Sequence, residues 1–113
     1  MHELSLAEAM LDIIKEQAEQ EGFNNVTKVV LEIGALSHVE ADAMAFCFDA
    51  VVDGSIVKHA VLEIHRTPAK AQCPKCQHIN SIQNLYDACT QCGSFGLQVL
   101  EGDQLRIRHL EVE

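Results

Sequence analysis

Cys73-Pro74-Lys75-Cys76 and, after twelve intervening residues, Cys89-Thr90-Gln91-Cys92-Gly93 put two C-x-x-C pairs at the separation a chain needs to wrap four thiolates around one ion. Each pair supplies two sulfurs from one tight turn. Pro74 fixes φ in the first turn, and Gly93 can take the left-handed conformation just after the second. These are zinc knuckles, and a tetrahedral Zn²⁺ held by Cys73, Cys76, Cys89 and Cys92 is expected. A closed four-thiolate site keeps no open coordination position. Its zinc is therefore structural, and folds a segment too poor in apolar residues to fold alone. An iron centre or a pair of redox dithiols is the alternative use of the same sulfurs. Two disulfides would need an oxidising compartment. The chain opens Met1-His2-Glu3-Leu4-Ser5 with no basic n-region, and Glu8 and Asp12 interrupt the first apolar stretch, so no export signal is visible.

A chain of 113 residues is one domain, or one small domain carrying a smaller metal-stapled one. Eight Lys plus Arg against 17 Asp plus Glu give a formal net charge of −9, and thiolates around a dication add local negative charge. Zinc ribbons that bind nucleic acid need a basic face, whereas here only Lys70 and Lys75 stand near the knuckles. No uninterrupted apolar run has spanning length. The sequence thus argues against nucleic-acid and membrane partners and reads as soluble and cytoplasmic.

The apolar spacing predicts two helices and a small sheet. Ser5 with Glu8 reads as a capping box that starts a helix at Leu6. Leu6, Met10, Ile13 and Ile14, with Leu11 and Ala18 on the flank, define its buried stripe, and Gly22 ends it. Val26 to Gly34 alternates, with Val29, Leu31 and Ile33 on one face and Lys28 and Glu32 on the other, which predicts a half-covered strand. A second capping box, Ser37 with Glu40, opens a helix whose apolar positions are Val39, Ala43, Phe46, Cys47, Ala50 and Val51, stopped by Gly54. Leu62 and Ile64 mark a strand ending near Pro68.

From 69 to 103 the apolar residues thin out, with Ile79, Ile82, Leu85, Phe95, Leu97 and Val99 suggesting short strands around the knuckles. Leu105 to Val112 resumes a strand whose parity shifts near His109, which predicts a bulge. That last strand is expected to return beside the one ending at Pro68. The fold class expected is α+β, two helices packed on a small mixed sheet with an inserted zinc-ribbon-like four-cysteine module. Residues 1–68 and 104–113 would form the main domain, and 69–103 the zinc module inserted between two of its strands.

The N-terminus is a second chemical feature. A bulky His2 should leave Met1 in place, so that the Met1 amine, the His2 backbone nitrogen and the His2 imidazole sit together as fused chelate rings, with the Glu3 amide as a fourth in-plane donor. That set suits tetragonal Ni(II) or Cu(II) better than Zn(II). The bland alternative is a solvated, frayed terminus. Placement at the head of a capped helix favours the functional reading, because the tripeptide is held on a rigid element.

Met1-His2-Glu3-Leu4-Ser5-Leu6, Leu31-Glu32-Ile33-Gly34-Ala35-Leu36-Ser37, Phe46-Cys47-Phe48-Asp49, the paired C-x-x-C motifs and Ile107-Arg108-His109-Leu110-Glu111-Val112 together resemble the HypA/HybF hydrogenase nickel-incorporation proteins, over the whole chain. The resemblance implies a nickel metallochaperone. Met1, His2 and Glu3 would hold Ni²⁺ in transit, and Cys73, Cys76, Cys89 and Cys92 would hold structural Zn²⁺. A HypB-type GTPase would be the delivery partner, and the large subunit of a [NiFe]-hydrogenase the recipient. Some members recruit a further histidine from the zinc module, which makes His78 an additional nickel candidate. A monomer or weak homodimer is expected.

Other conspicuous residues have plainer readings. Cys47 lies on an apolar helix stripe and packs as a small hydrophobe. His38, His59, His65 and His109 read as surface or core positions. Gly34 with Ser37 is a strand-to-helix turn that lacks the glycine run and lysine of a phosphate loop. No catalytic constellation is visible, so no enzyme is expected. A zinc-ribbon adaptor, which would need only the cysteines, and a metal-dependent hydrolase, which would need an open coordination position, are the competing classes.

Overall fold

A computed structural model describes residues 3–113. Helix α1 spans Glu3–Glu21, followed by β1 (Val26–Gly34), α2 (Ala41–Val51), β2 (Val61–Thr67), β3 (Ala69–Gln72), β4 (Ile79–Ile82), β5 (Gln98–Glu101) and β6 (Leu105–Val112). The strands form two three-stranded sheets, ordered β2-β1-β6 and β4-β3-β5. The class is α+β with two helices, two small sheets and a four-cysteine cluster, as the sequence predicts. Two compact units divide the chain: one takes the residues up to Leu31, Val39–Ile64 and Ile107–Glu113, the other Glu32–His38 and His65–Arg106. No helix among the described residues is long and apolar enough to cross a membrane.

In the first unit, α1 buries Ala7, Met10, Leu11, Ile14 and Ala18, and α2, which packs against it, buries Met44 and Phe48. Both helix starts differ from the sequence reading. α1 already includes Glu3, so Ser5 is not its N-cap. Ser-x-x-Glu is also an ordinary exposed i,i+3 pair inside a helix, and Glu3 and Leu4 are good helix formers. α2 starts at Ala41 with Glu40 as N-cap, which leaves Ser37 outside its first turn. Gly22 ends α1 as expected, at φ 78°, with its N–H donating to the Ala18 carbonyl at 2.8 Å. The buried faces are also rotated from those predicted. Ile13 is 50% exposed and Phe46 75% exposed, while Met44 and Phe48 take the core positions. α2 is apolar almost all round, so spacing alone does not choose its inner face.

Strand β1 is covered more fully than its alternation suggests. Every residue from Val29 to Gly34 is buried, Val30 and Glu32 included. It lies between two neighbours, and its one buried carboxylate, on Glu32, is paired with the Arg106 guanidinium. Strand β6 joins β1 and not, as expected, β2. The Glu113 N–H donates to the Asn25 carbonyl at 3.1 Å, and at the other end the Gly34 N–H donates to the Gln104 carbonyl at 2.9 Å, so the two strands run antiparallel. A nine-residue apolar strand offers hydrogen-bonding groups on both edges, and β6 satisfies the second. Ile107 and Leu110 are both half-buried, the predicted change of parity.

In the second unit the backbones of Gly34 and Gly102 meet without room for a side chain. A Cβ on Gly34 would overlap the Gly102 carbonyl, and one on Gly102 would overlap the Ala69 side chain. The Leu36 N–H donates to that Gly102 carbonyl at 2.8 Å. Gly34→Ala is therefore expected to destabilise by about 3 kcal/mol or more, read as a lower urea midpoint.

The smaller sheet centres on β3, which the sequence reading missed because Ala-Lys-Ala-Gln has poor strand propensity. It forms because it is paired on both edges, with Ala69 opposite Ile82 on β4 and Ala71 opposite Val99 on β5. Its core is only Ala69, Ala71 and Ile82, with Leu36 and Leu97 packed at the margin. Leu85 and Phe95, expected in strands, lie outside them and are exposed.

Candidate metal centre

The two knuckles share one construction. In the first, the Gln77 N–H donates to the Cys73 carbonyl at 2.9 Å and the Cys73 N–H to the His78 carbonyl at 2.9 Å. In the second, the Gly93 N–H donates to the Cys89 carbonyl at 2.9 Å and the Cys89 N–H to the Ser94 carbonyl at 2.8 Å. Gln77, at φ 66°, takes the left-handed place that Gly93 takes at φ 75°. The glycine is legible in the sequence and the glutamine is not. A left-handed non-glycine residue costs roughly 1–2 kcal/mol, offset here by bonds from Gln77 Nε2 to the Pro74 carbonyl and from Gln72 Nε2 to the Gln77 carbonyl, each 3.2 Å.

These turns bring the four sulfurs together. Cys73 Sγ lies 3.5 Å from Cys92 Sγ, Cys76 Sγ lies 3.6 Å from Cys89 Sγ, and all four are within 4.8 Å of one another. A tetrahedral ion with bonds of about 2.3 Å to sulfur would set these edges at about 3.8 Å. The cluster therefore fits one four-coordinate, thiophilic ion. Among the described residues it is the only group of three or more His, Cys, Asp or Glu so placed. Cys73 and Cys89 are buried, Cys76 is half-buried and Cys92 is exposed.

Asn80 cross-links the knuckles, a role sequence reasoning missed. Its side chain is 1% exposed. Nδ2 donates to the His78 carbonyl at 3.3 Å and to Cys89 Sγ at 3.6 Å, while Oδ1 accepts from the Thr90 N–H and hydroxyl, both at 2.8 Å. One amide thus ties the exit of the first turn to a sulfur and the backbone of the second. Asn80→Ala removes the buried amide that joins the two turns and the hydrogen bond it gives to Cys89 Sγ, and should cost about 1–3 kcal/mol and speed metal loss to a chelator, read with a thiol- or metal-sensitive dye.

Crowding makes the thiols give up protons unequally. Cys89 is drawn down to about 6, first by the Cys92 backbone N–H and then by the Gln91 N–H and the Asn80 amide, against a cost from burial. Cys92 is lowered by the Ser94 hydroxyl and backbone N–H. At Cys76 the His78 backbone N–H favours the thiolate, but burial and the three neighbouring sulfurs outweigh it and push the thiol up to about 12. The first proton therefore leaves the cluster most readily at Cys89 and least readily at Cys76, and an ion that takes all four sulfurs must expel the Cys76 proton. Binding at pH 7.5 should release at least one proton per ion, measured by calorimetry in buffers of different ionisation enthalpy. Affinity should fall more steeply below about pH 6, where Cys89 also takes up a proton.

Of the other candidates, Met1 and His2 lie outside the described residues. Glu3 stands in the first turn of α1, where its carboxylate accepts the Glu40 N–H at 3.3 Å. His78 is half-buried, with its carbonyl engaged by Cys73 and Asn80. Cys47 is half-buried on α2; His38 and His59 are exposed, His65 is half-buried, and His109 lies 3.5 Å from the Glu111 carboxylate.

Fold and site together define a small α+β metal-binding protein whose four-cysteine module sits on a chain with almost no core of its own in that segment. The family profile described as "Hydrogenase/urease nickel incorporation, metallochaperone, hypA" matches residues 1–112. "Hydrogenase maturation factor HypA" of Azotobacter chroococcum mcd 1 is 48% identical over 113 residues, covering 100% of both chains, and that of Acidithiobacillus ferrooxidans is 50% identical over the same length and coverage. The solution structure of the Ni metallochaperone HypA from Helicobacter pylori superposes with a TM-score of 0.73 at 26% identity, covering 99% of this chain and 97% of that one. A second HypA solution structure gives 0.75 at 25% identity, covering 100% and 97%. The chain belongs to the HypA family of nickel metallochaperones that serve hydrogenase maturation.

Proposed function

We propose that this protein binds Ni(II) through Met1, His2 and Glu3 and delivers it, with a HypB-type GTPase, to the large subunit of a [NiFe]-hydrogenase, while Zn²⁺ at Cys73, Cys76, Cys89 and Cys92 holds the zinc module together. The observation that carries this reading is family membership over residues 1–112, a match that takes in Met1, His2 and Glu3. The donors are the Met1 amine, the His2 amide nitrogen and imidazole, and the Glu3 amide nitrogen, a strong-field planar set suited to Ni(II). Glu3 in the first turn of α1 supports it: first-turn N–H groups have no intrahelical acceptor, so giving the Glu3 amide to a metal costs no helix hydrogen bond.

The zinc supplies folding free energy and no open position. Segment 69–103 serves as its module, inserted between the strands that bound the nickel-binding domain of 1–68 and 104–113. The protein binds and hands on; it does not catalyse. It works in the cytoplasm without nucleic-acid or membrane partners, as a monomer or weak homodimer. An affinity pull-down from cells making a [NiFe]-hydrogenase tests the partners: the GTPase and the immature large subunit should be recovered. Recovery of neither under nickel-replete conditions counts against the delivery role.

A further inference from the structure

We infer that the Glu3 carboxylate is a positioning group for the N-terminal nickel chelate, anchored on the amino end of α2, and is not itself a metal donor. The inference rests on the reading of Met1, His2 and Glu3 as the nickel site. Its observation is the bond from the Glu40 N–H to the Glu3 carboxylate, 3.3 Å long and spanning 37 positions of sequence.

Glu40 is the N-cap of α2, at φ −84° and ψ 125°, and its own side chain makes no cap bond. In a capping box the third residue of a helix reaches back to the N-cap N–H, but here that residue is Ala43, which has nothing to reach with. Glu3 supplies the missing acceptor from α1. The carboxylate also puts negative charge where the helix dipole favours it. On the other side Glu40 is fixed by α2 itself, since the Met44 N–H donates to its carbonyl at 2.9 Å.

Glu3 is thus held twice, by its backbone in α1 and by its side chain against α2, and the two helices pack on each other. The residue that offers an amide nitrogen to nickel is therefore set in place before the ion arrives. Binding pays less to order it. The Glu3 oxygen that accepts the Glu40 N–H is committed to α2, which gives the carboxylate a holding role separate from that of the amide.

The test compares Glu3→Gln, Glu3→Ala, Glu40→Pro and the Glu3→Ala/Glu40→Pro pair by nickel calorimetry, Ni(II) absorption and amide exchange over 41–44. Gln keeps an acceptor oxygen but no anionic ligand. Pro tolerates φ near −84° and deletes the N–H while leaving the Glu3 carboxylate intact. A positioning role predicts that Gln stays within about twofold of the parent affinity, and that Ala, Pro and their pair each lose about tenfold, without additivity. Amide exchange at the start of α2 should quicken in Ala but not in Gln, and the absorption of bound Ni(II) should be unchanged throughout.

Loss in Gln equal to that in Ala, with Glu40→Pro binding as the parent, makes the carboxylate a nickel donor and overturns the inference. Unchanged affinity in all four also overturns it. In that event His2→Ala decides what else fails: if it abolishes nickel binding, the N-terminal site stands and only the anchoring role falls, whereas normal binding sinks the site itself.

Discussion

Cys73→Ala is expected to remove zinc and unfold residues 69–103 while leaving most of the helical signal. Structural zinc in comparable small sites is worth about 10–16 kcal/mol at neutral pH. Against that, the smaller sheet buries only two alanines and Ile82 as its apolar core, with Leu36 and Leu97 at its margin. Three thiolates cannot close the site. The second sheet should then lose its chemical-shift dispersion and all remaining thiols should react with a disulfide reagent. The α1 and α2 resonances should persist, because Met10, Leu11, Ile14, Met44 and Phe48 form a core without the metal. A variant that keeps the β3-β4 and β3-β5 pairings in a metal-free state would contradict this account of the module.

His2→Ala is expected to do the opposite, abolishing tight nickel binding and hydrogenase maturation while leaving zinc content and melting temperature unchanged. Losing the imidazole breaks a chelate ring, a loss of at least about a hundredfold in affinity if donor and ring are worth about 3 kcal/mol together. Function and stability should separate because the buried positions that α1 contributes among the described residues are Ala7, Met10, Leu11, Ile14 and Ala18, all beyond the first turn. Normal maturation by this variant, or a melting temperature far below the parent's, would remove His2 from the site.

Much of the fold is legible because a few residues have few uses. Two C-x-x-C pairs twelve residues apart admit little besides a metal, and the sulfurs lie together as that spacing predicts. Gly22 and Gly93 punctuate where a positive φ is needed. What was not legible depends on partners distant in sequence. The inner face of α2 is Met44 and Phe48 because of what surrounds it, and Ala-Phe-Cys-Phe alone does not say so. β3 exists through its neighbours on both edges, and β6 goes to β1 because that strand has an edge to fill. Asn80 and Gln77 look like ordinary polar loop residues until their bonds are seen. The Ser5–Glu8 pattern misleads since it marks a helix start or a helix surface equally well.

The central claim is that nickel is held by the amino terminus itself. Calorimetry at constant pH with Ni²⁺, comparing the native protein with one whose Met1 amine is acetylated, tests it most directly. Every side chain is the same in both. With the amine as a donor, the native protein should bind one Ni²⁺ tightly with proton release, and should weaken steeply between about pH 8 and 6 as imidazole and amine take up protons. The acetylated protein should show no tight site while its zinc is retained. Undiminished nickel affinity in the acetylated protein would place the ion elsewhere, with His78 the first residue to examine.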